Sequence, residues 1–257
     1  MKLCILHIGF ATTDTNRRHL PSPQRFHNLL KPLLTRAVWT TINCLEDDLP
    51  TEVDAYDGYL ITGGKYSVFE DLDWQYNLFD FIKSLFNASK PLVGICYGHQ
   101  AIAHALGGQV ERSNKGWGVG VRRTAIVDQP NWIDPPLKNI ELLSMHQDQV
   151  SQMPMGAKCF LSDQFCPFAG YYIGNRILAI QQHPEFTPEL CKDLIVKRKE
   201  RIGDRYEAAL KSLTTQHQGK LAGQWIANFL RQALKEDLQE VEQLEEATGQ
   251  PLNSPQV

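Results

Sequence analysis

The residues Gly94-Ile95-Cys96-Tyr97-Gly98-His99-Gln100 have the types and spacing for thiol chemistry. A glycine two before and another two after a cysteine is the pattern of a nucleophile elbow, a strand-to-helix turn too tight for side chains at those places. Such a turn lifts the sulfur above the carboxyl edge of a sheet, where open α/β folds bind ligands. It also sets Cys96 at a helix N-terminus, whose partial positive charge favours the thiolate. The backbone N–H of Tyr97 then points toward a developing oxyanion. Gly63-Gly64, without side chains, can bring a second N–H close. A nucleophilic cysteine needs a base, and the base needs an orienting group. Gln181-Gln182-His183-Pro184-Glu185-Phe186 contains both. His183 and Glu185 are two apart, so an extended chain projects them to one side, and the carboxylate can fix the imidazole tautomer. Alone, Gly63-Gly64 would be an ordinary turn and His183 a strand-end histidine. Beside Cys96 they complete a nucleophile, a base and an oxyanion hole.

The elements that must position these groups follow from the patterning. The first half alternates short β-rich runs with helical ones, as a parallel α/β sheet requires. Leu3 to Ile8, Ala37 to Leu45, Tyr59 to Thr62 and Pro91 to Ile95 read as strands, the last continuously apolar and so buried on both faces. Ser22 and Pro23 open a helix through about Leu34. Trp74, Leu78, Phe81, Ile82 and Leu85 recur at helical spacing, with Asp73 as cap. Ala101 to Leu106 continues the elbow as a helix. Residues 116–180 carry short strand-like runs and turns, read as strands added beside the main sheet, and Arg176 to Gln182 is the last strand. From Thr187 the chain turns helical, with Pro188 in the first turn. Leu221 to Leu234 is amphipathic, and Leu234, Leu238, Val241 and Leu244 extend its stripe into an acidic tail. The stripe reads as a helix lying on the main body, with a partner surface as the alternative. Residues 250–257 are expected to fray. The reading divides the chain into a main domain over 1–190 and a helical extension over 191–257 packed on it.

Composition bounds the class of protein. The chain has 257 residues, 42% hydrophobic and 21% charged, which is ordinary for a globular protein. Its 26 Lys and Arg against 29 Asp and Glu give a net charge of −3. That balance argues against a protein that blankets nucleic acid with positive charge. No apolar run reaches the roughly eighteen residues of a membrane span. The short apolar start, Met1 to Ile8, reads as a strand rather than a signal peptide. Six cysteines without close pairs then suggest free thiols in a reducing cytoplasm. His99 and His104 are five apart, a poor match to a helical ligand pair, and no Cys-x-x-Cys occurs, so no metal is expected.

The motifs carry a family resemblance. Cys96 within Gly-x-Cys-x-Gly-x-Gln, Gly63-Gly64 before it and His183-Pro-Glu185 after it resemble the class I, triad-type glutamine amidotransferases. The likeness is nearest to stand-alone proteins similar to the amidotransferase domain of GMP synthase, and it runs from Met1 to about Phe186. It implies a flavodoxin-like α/β fold: a mostly parallel central sheet flanked by helices, with a small added β region and a helical C-terminus. It implies hydrolysis of the γ-amide of glutamine or a γ-glutamyl compound through a cysteine thioester, without a cofactor. Cys96 would be the nucleophile, His183 the acid and base, and Glu185 its orienter, with Gly64 and Tyr97 forming the oxyanion hole. Gly63 and Gln100 match positions near the bound glutamine. Ser144-Met145-His146-Gln147-Asp148 resembles a stretch lining that pocket, which places Met145, His146 and Gln147 among the substrate contacts. Two positions depart from the pattern. Lys65-Tyr66-Ser67 follows the glycines where many members have proline, and Gly118 follows Trp117 where many close relatives carry an acidic residue.

The acceptor is the open question at this level. No Ser-Gly-Gly-x-Asp-Ser loop follows Phe186, and no Gly-x-x-x-x-Gly-Lys-Ser/Thr occurs. Three readings remain: hydrolysis of a small γ-glutamyl substrate, which is favoured; a glutaminase subunit passing ammonia to a separate synthase; and a non-catalytic binding protein on the same scaffold. The partners expected are a small-molecule substrate, with a synthase or a second copy of the chain as further candidates, and neither nucleic acid nor membrane.

Overall fold

The computed structural model describes residues 1–9, 18–46 and 48–248, with side chains of the last helix described through residue 235. Eleven strands and seven α-helices are described. The strands are β1 (Lys2–His7), β2 (Val38–Asn43), β3 (Gly58–Ile61), β4 (Leu92–Ile95), β5 (Gln109–Arg112), β6 (Gly118–Ile126), β7 (Asn139–His146), β8 (Asp148–Gln152), β9 (Lys158–Ser162), β10 (Gly170–Ile173) and β11 (Ile177–Ile180). The helices are α1 (Ser22–Leu30), α2 (Asp73–Asn87), α3 (Tyr97–Ala105), α4 (Pro188–Lys197), α5 (Lys199–Ile202), α6 (Tyr206–Ser212) and α7 (Gly219–Thr248). Nine strands form one sheet in the order β2-β1-β3-β4-β11-β10-β9-β6-β7, and β5 pairs with β8 in a separate ribbon. The five strands from β2 to β11 run parallel. The remaining four join antiparallel, so most of the added strands continue the edge of the main sheet.

The period of two in β1 divides the core. Leu3 and Ile5 face one side, with Phe26 and Leu30 of α1 and Trp225 and Phe229 of α7. Cys4 and Leu6 face the other, with Leu78 and Ile82 of α2 and Ile102 of α3. Trp225 is fully buried, so truncating it to alanine would cost about 3–5 kcal/mol. A third cluster seats α4, α5 and α6 on Val119, Leu143 and Met145 of β6 and β7. No helix among the described residues is long and apolar enough to cross a membrane.

Several boundaries differ from the sequence reading. Pro21, not Ser22, is the N-cap of α1, and the helix stops at Leu30 rather than Leu34. Pro32 has no N–H to return to the helix, and Leu34 closes a turn back to the Leu30 carbonyl at 2.8 Å. Asp73 does not cap α2. The cap is Leu72, whose N–H donates to Gln75 Oε1 at 3.3 Å. At α4 the expected start holds: Thr187 caps through Leu190 N at 3.2 Å, and Pro188 takes the first turn. The last strand ends at Ile180, two residues early, because Gln181 and His183 leave β4 and donate instead to the carbonyls of Ala169 and Leu143. Of the C-terminal stripe, Leu234 is half-buried, whereas Leu238, Val241 and Leu244 and the tail 250–257 lie outside the described side chains and residues.

Candidate active site

Three neighbouring strands deliver the candidate groups to one edge. In β3, β4 and β11, Ile61, Gly94 and Ala179 stand at one level of the register. Gly63 and Cys96 lie two residues beyond that level, and His183 lies at the end of the segment leaving β11. Cys96 is the N-cap of α3 and has φ +53° and ψ −100°, a left-handed conformation that non-glycine residues seldom adopt. Strain of this kind persists where the surroundings over-determine it, and the flanking glycines are what permit it here. A Cβ at Gly94 would stand 2.6 Å from the Gly98 backbone, and one at Gly98 would stand 2.5 Å from the Ile61 carbonyl oxygen. Tyr97 is the first residue of α3, so its N–H has no acceptor within the helix.

The His183 ring is held on three sides. Its Nδ1 lies 2.8 Å from Glu185 Oε1 with both side chains buried, which leaves Nε2 for Cys96. Phe186 stacks on it, centroids 3.8 Å apart and planes 16° apart, and the Arg25 guanidinium lies 5.4 Å from the centroid of the Phe186 ring. The segment is a turn rather than the extended run expected, closed by Phe186 N to the His183 carbonyl at 3.5 Å. The two side chains meet all the same, because the turn carries both toward the pocket. Burial alone would press the His183 pKa down. The Glu185 carboxylate and the Cys96 sulfur outweigh it and lift the value to about 10. A charged imidazolium beside the sulfur is the natural partner of a thiolate. Burial acts the other way on four other thiols: Cys4 and Cys191 are pushed up to about 12, and Cys159 and Cys166 are also raised.

Gly63 and Gly64 separate into two roles. A Cβ at Gly63 would stand 2.7 Å from His183 Cε1 and 3.4 Å from Cys96 Cβ, so the missing side chain makes room for the imidazole. At Gly64 it would strike Ile8 Cγ2 at 2.5 Å. The loop after Gly64 is braced without proline. Gln75 Nε2 donates to the Ser67 carbonyl at 2.8 Å and to the Tyr97 hydroxyl at 2.9 Å, tying the loop to the elbow. Tyr66 packs edge-on to Trp74 at 5.2 Å. Gly118 has its own reason to lack a side chain: a Cβ there would lie 2.6 Å from Phe165 and 2.8 Å from His146 Nε2.

Two cavities meet at this edge. The smaller, about 130 Å³, is lined by Cys96, Gln100, His146, Gln147 and Asp148, with Glu70 and Arg112 at its wall. The larger, about 520 Å³, is lined by His183, Glu185 and Phe186 and contains neither Cys96 nor Gln100. Gly64, Lys65, Met145, Arg198 and Arg201 belong to both. Gln100 spends its amide nitrogen inside the protein, on the Asp148 carbonyl at 2.8 Å and Gln181 Oε1 at 3.1 Å, and so braces the small cavity as well as lining it. His146 donates from Nδ1 to the Asp148 carbonyl at 3.1 Å; burial, foremost, lowers its pKa to about 4, so it is neutral. His99 is buried against the Phe168 carbonyl, with its pKa lowered to about 3 by burial.

Several residues of the site escaped the sequence reading. Phe186 holds the imidazole face and Arg25 stands over the Phe186 ring; Phe186 could have been flagged by its place beside Glu185. Glu70, whose Oε1 accepts from Ser67 N at 2.7 Å, reaches the small cavity from a loop with no motif. Asp148, already within the stretch read as lining the pocket, accepts from the Ser67 hydroxyl and pairs with Arg112 at 3.3 Å. Arg198 and Arg201 arrive from beyond α4, both over the Trp117 ring, at 5.9 and 5.2 Å.

The family model of class-I glutamine amidotransferases matches residues 24–200 of this chain. The chain belongs to that family. It is thus an enzyme of the glutamine amidotransferase kind. Among its relatives it is 31% identical to gamma-glutamyl peptidase 4 of Arabidopsis thaliana over 179 residues, 66% of this chain and 71% of that protein. It is 33% identical over 135 residues to one subunit of the glutamine-hydrolysing GMP synthase of Sulfolobus acidocaldarius, 52% of this chain and 70% of that one. The crystal structure of a glutamine amidotransferase from Thermotoga maritima superposes with a TM-score of 0.70, covering 91% of this chain and 97% of that chain at 17% identity, which is a likeness of fold.

Proposed function

We propose that this chain hydrolyses the γ-amide of a γ-glutamyl compound, glutamine included, through a thioester on Cys96. The Cys96 thiolate attacks the γ-carbonyl carbon. The oxyanion that forms is held by the N–H groups of Gly64 and Tyr97. His183 gives its Nε2 proton to the departing nitrogen as the C–N bond breaks, leaving the glutamyl group on sulfur. Water then attacks the thioester, His183 takes its proton, and glutamate leaves as the thiolate returns. Glu185 keeps Nδ1 occupied, so that Nε2 alone exchanges the proton. The γ-glutamyl group would lie in the small cavity, with Glu70 and Asp148 toward its α-ammonium and Arg112 toward its α-carboxylate.

The observation that carries this reading is the meeting of three features: a cysteine at φ +53° between tight glycines, an imidazole that shares with that cysteine the space left free at Gly63, and a buried carboxylate 2.8 Å from that imidazole. The space of about 520 Å³ on the His183 side favours a departing amine larger than ammonia. The likeness to gamma-glutamyl peptidase 4 supports the same reading. The likeness to a component of a GMP synthase supports the second, a glutaminase subunit feeding a separate synthase. The test is incubation of purified protein with glutamine and a panel of γ-glutamyl dipeptides, reading free glutamate, with Cys96→Ala as control. Turnover of the dipeptides by the unaccompanied chain, abolished in Cys96→Ala, is expected. Turnover of glutamine alone would favour the glutaminase subunit. Full turnover by Cys96→Ala would overturn the thioester.

A further inference from the structure

The chemistry of the proposed reaction assigns the two cavities to the two ends of the substrate. The acyl carbon must sit on Cys96, which lines the small cavity only. The departing nitrogen must receive its proton from His183, which lines the large cavity only. Gly64, whose N–H would hold the oxyanion between them, lines both. The departing amine therefore leaves into the large cavity. Ammonia needs little more than the roughly 30 Å³ that a water molecule occupies. About 520 Å³ lies instead within the range of sites that bury a small organic ligand.

The walls of that chamber have a sign. The chain as a whole carries −3, yet the basic residues around this space are Arg25, Lys65, Lys197, Arg198 and Arg201, and the acidic one is Glu185. Glu185 is committed to His183, and its charge also acts on Arg25. Arg198 and Arg201 are set side by side by the α4–α5 junction, and both are oriented by the Trp117 ring. Burial, foremost, and the neighbouring Arg201 charge disfavour the Arg198 cation, which the Cys96 and Cys191 sulfurs offset only in part, and an anion between the two arginines would relieve the remaining cost.

We propose that this chamber is a leaving-group subsite, selecting γ-glutamyl amides whose departing amine itself bears an anionic group, carboxylate or phosphate, held by Arg198 and Arg201. The inference rests on the thioester reading above and adds the class of leaving group to it. A free dipeptide carboxylate and a phosphate ester present the same chemistry to a guanidinium fork.

The test compares charged and neutral leaving groups of equal shape. One arm sets γ-glutamylglycine against γ-glutamylglycinamide. The other sets γ-glutamyl-O-phosphoethanolamine against γ-glutamylethanolamine. In the wild-type enzyme kcat/KM should favour the anionic member of at least one arm by about tenfold or more, as one charge-assisted contact implies. The arm with the larger ratio identifies carboxylate or phosphate as the natural group. Arg201→Gln, at an exposed position, should bring the ratio toward one, and Arg201→Lys should keep part of it. Ratios near one in both wild-type arms, or ratios unchanged in Arg201→Gln, overturn the subsite. If no compound releases glutamate, the hydrolytic reading fails by itself. Calorimetric binding of γ-glutamylglycine and γ-glutamylglycinamide to Cys96→Ala then decides the subsite: preference for the acid supports it, and equal affinity overturns it.

Discussion

Gly63→Ala tests the site through a single methyl group. Gly63 does not adopt a left-handed φ, so alanine is free to take its backbone conformation. The added Cβ would meet His183 Cε1 at 2.7 Å, whereas carbon atoms rest at about 3.5–4.0 Å. The imidazole, or the strand end bearing it, must therefore retreat by roughly 1 Å. Phe186 stacked at 3.8 Å and Glu185 at 2.8 Å leave the ring no easy direction in which to do so. A displacement of about 1 Å in a reacting group costs on the order of 100-fold, close to 2.7 kcal/mol of transition-state stabilisation. Overpacking costs about 1–3 kcal/mol of fold stability, a fall of a few degrees in Tm for a chain of this length. Glutamate release under kcat/KM conditions, with Tm measured on the same preparation, reads both effects. The expected result is a folded protein whose kcat/KM falls by about two orders of magnitude. Activity within twofold of wild type, in a folded variant, would refute the claim that Gly63 exists to admit the His183 ring.

Other outcomes follow from the same geometry. The charged imidazolium should persist until pH approaches 10, so the alkaline limb of kcat/KM should fall near there. Glu185→Gln removes a charge that raises the His183 pKa and should move that limb to lower pH; an unmoved limb would detach Glu185 from His183. The same pKa, raised in the folded state, contributes stability in full below pH 6.5 that is lost as pH rises toward 10, and denaturant titrations at several pH values should show that slope. A glutamine-directed chloroketone or a limiting alkylating agent should mark Cys96 before Cys4, Cys159, Cys166 or Cys191, which burial holds in the thiol form; peptide mapping with another cysteine labelled first would count against the elbow. Gly118→Asp, which places an acidic residue after Trp117, should destabilise the fold by about 1–3 kcal/mol through contact with Phe165 and His146 rather than lower KM. Glu70→Gln should raise KM for γ-glutamyl substrates several-fold with little change in kcat, and an unchanged KM would remove Glu70 from the α-ammonium contact.

Short-range geometry was legible in the residues before any coordinates. Gly94 can be understood from the turn alone, since the atoms its Cβ would strike belong to Gly98 and Ile102 of the same strand–turn–helix, whereas Gly98 answers to the Ile61 backbone of the neighbouring strand β3. The Glu185 carboxylate reaches His183 because the two are two residues apart, and this held even though the segment turns instead of extending. The continuous apolar run of Leu92, Val93 and Ile95 foretold a strand buried on both faces, and the βα rhythm foretold the parallel half of the sheet. Long-range packing settled the remainder. That Gly63 clears space for a ring 120 residues later, that Gly118 is forced by His146 and Phe165, and that Glu70 faces the small cavity are contacts between loops distant in sequence. Nothing in a linear pattern marks Arg198 and Arg201 as anything but solvated charges after a helix. They reach the site because α4 and α5 bury Leu190, Cys191, Ile195 and Ile202 against β6 and β7, and that packing fixes which way the opposite face points. Local sterics write the nucleophile into the chain, whereas the shape and charge of the pocket beyond it come from how separate elements pack.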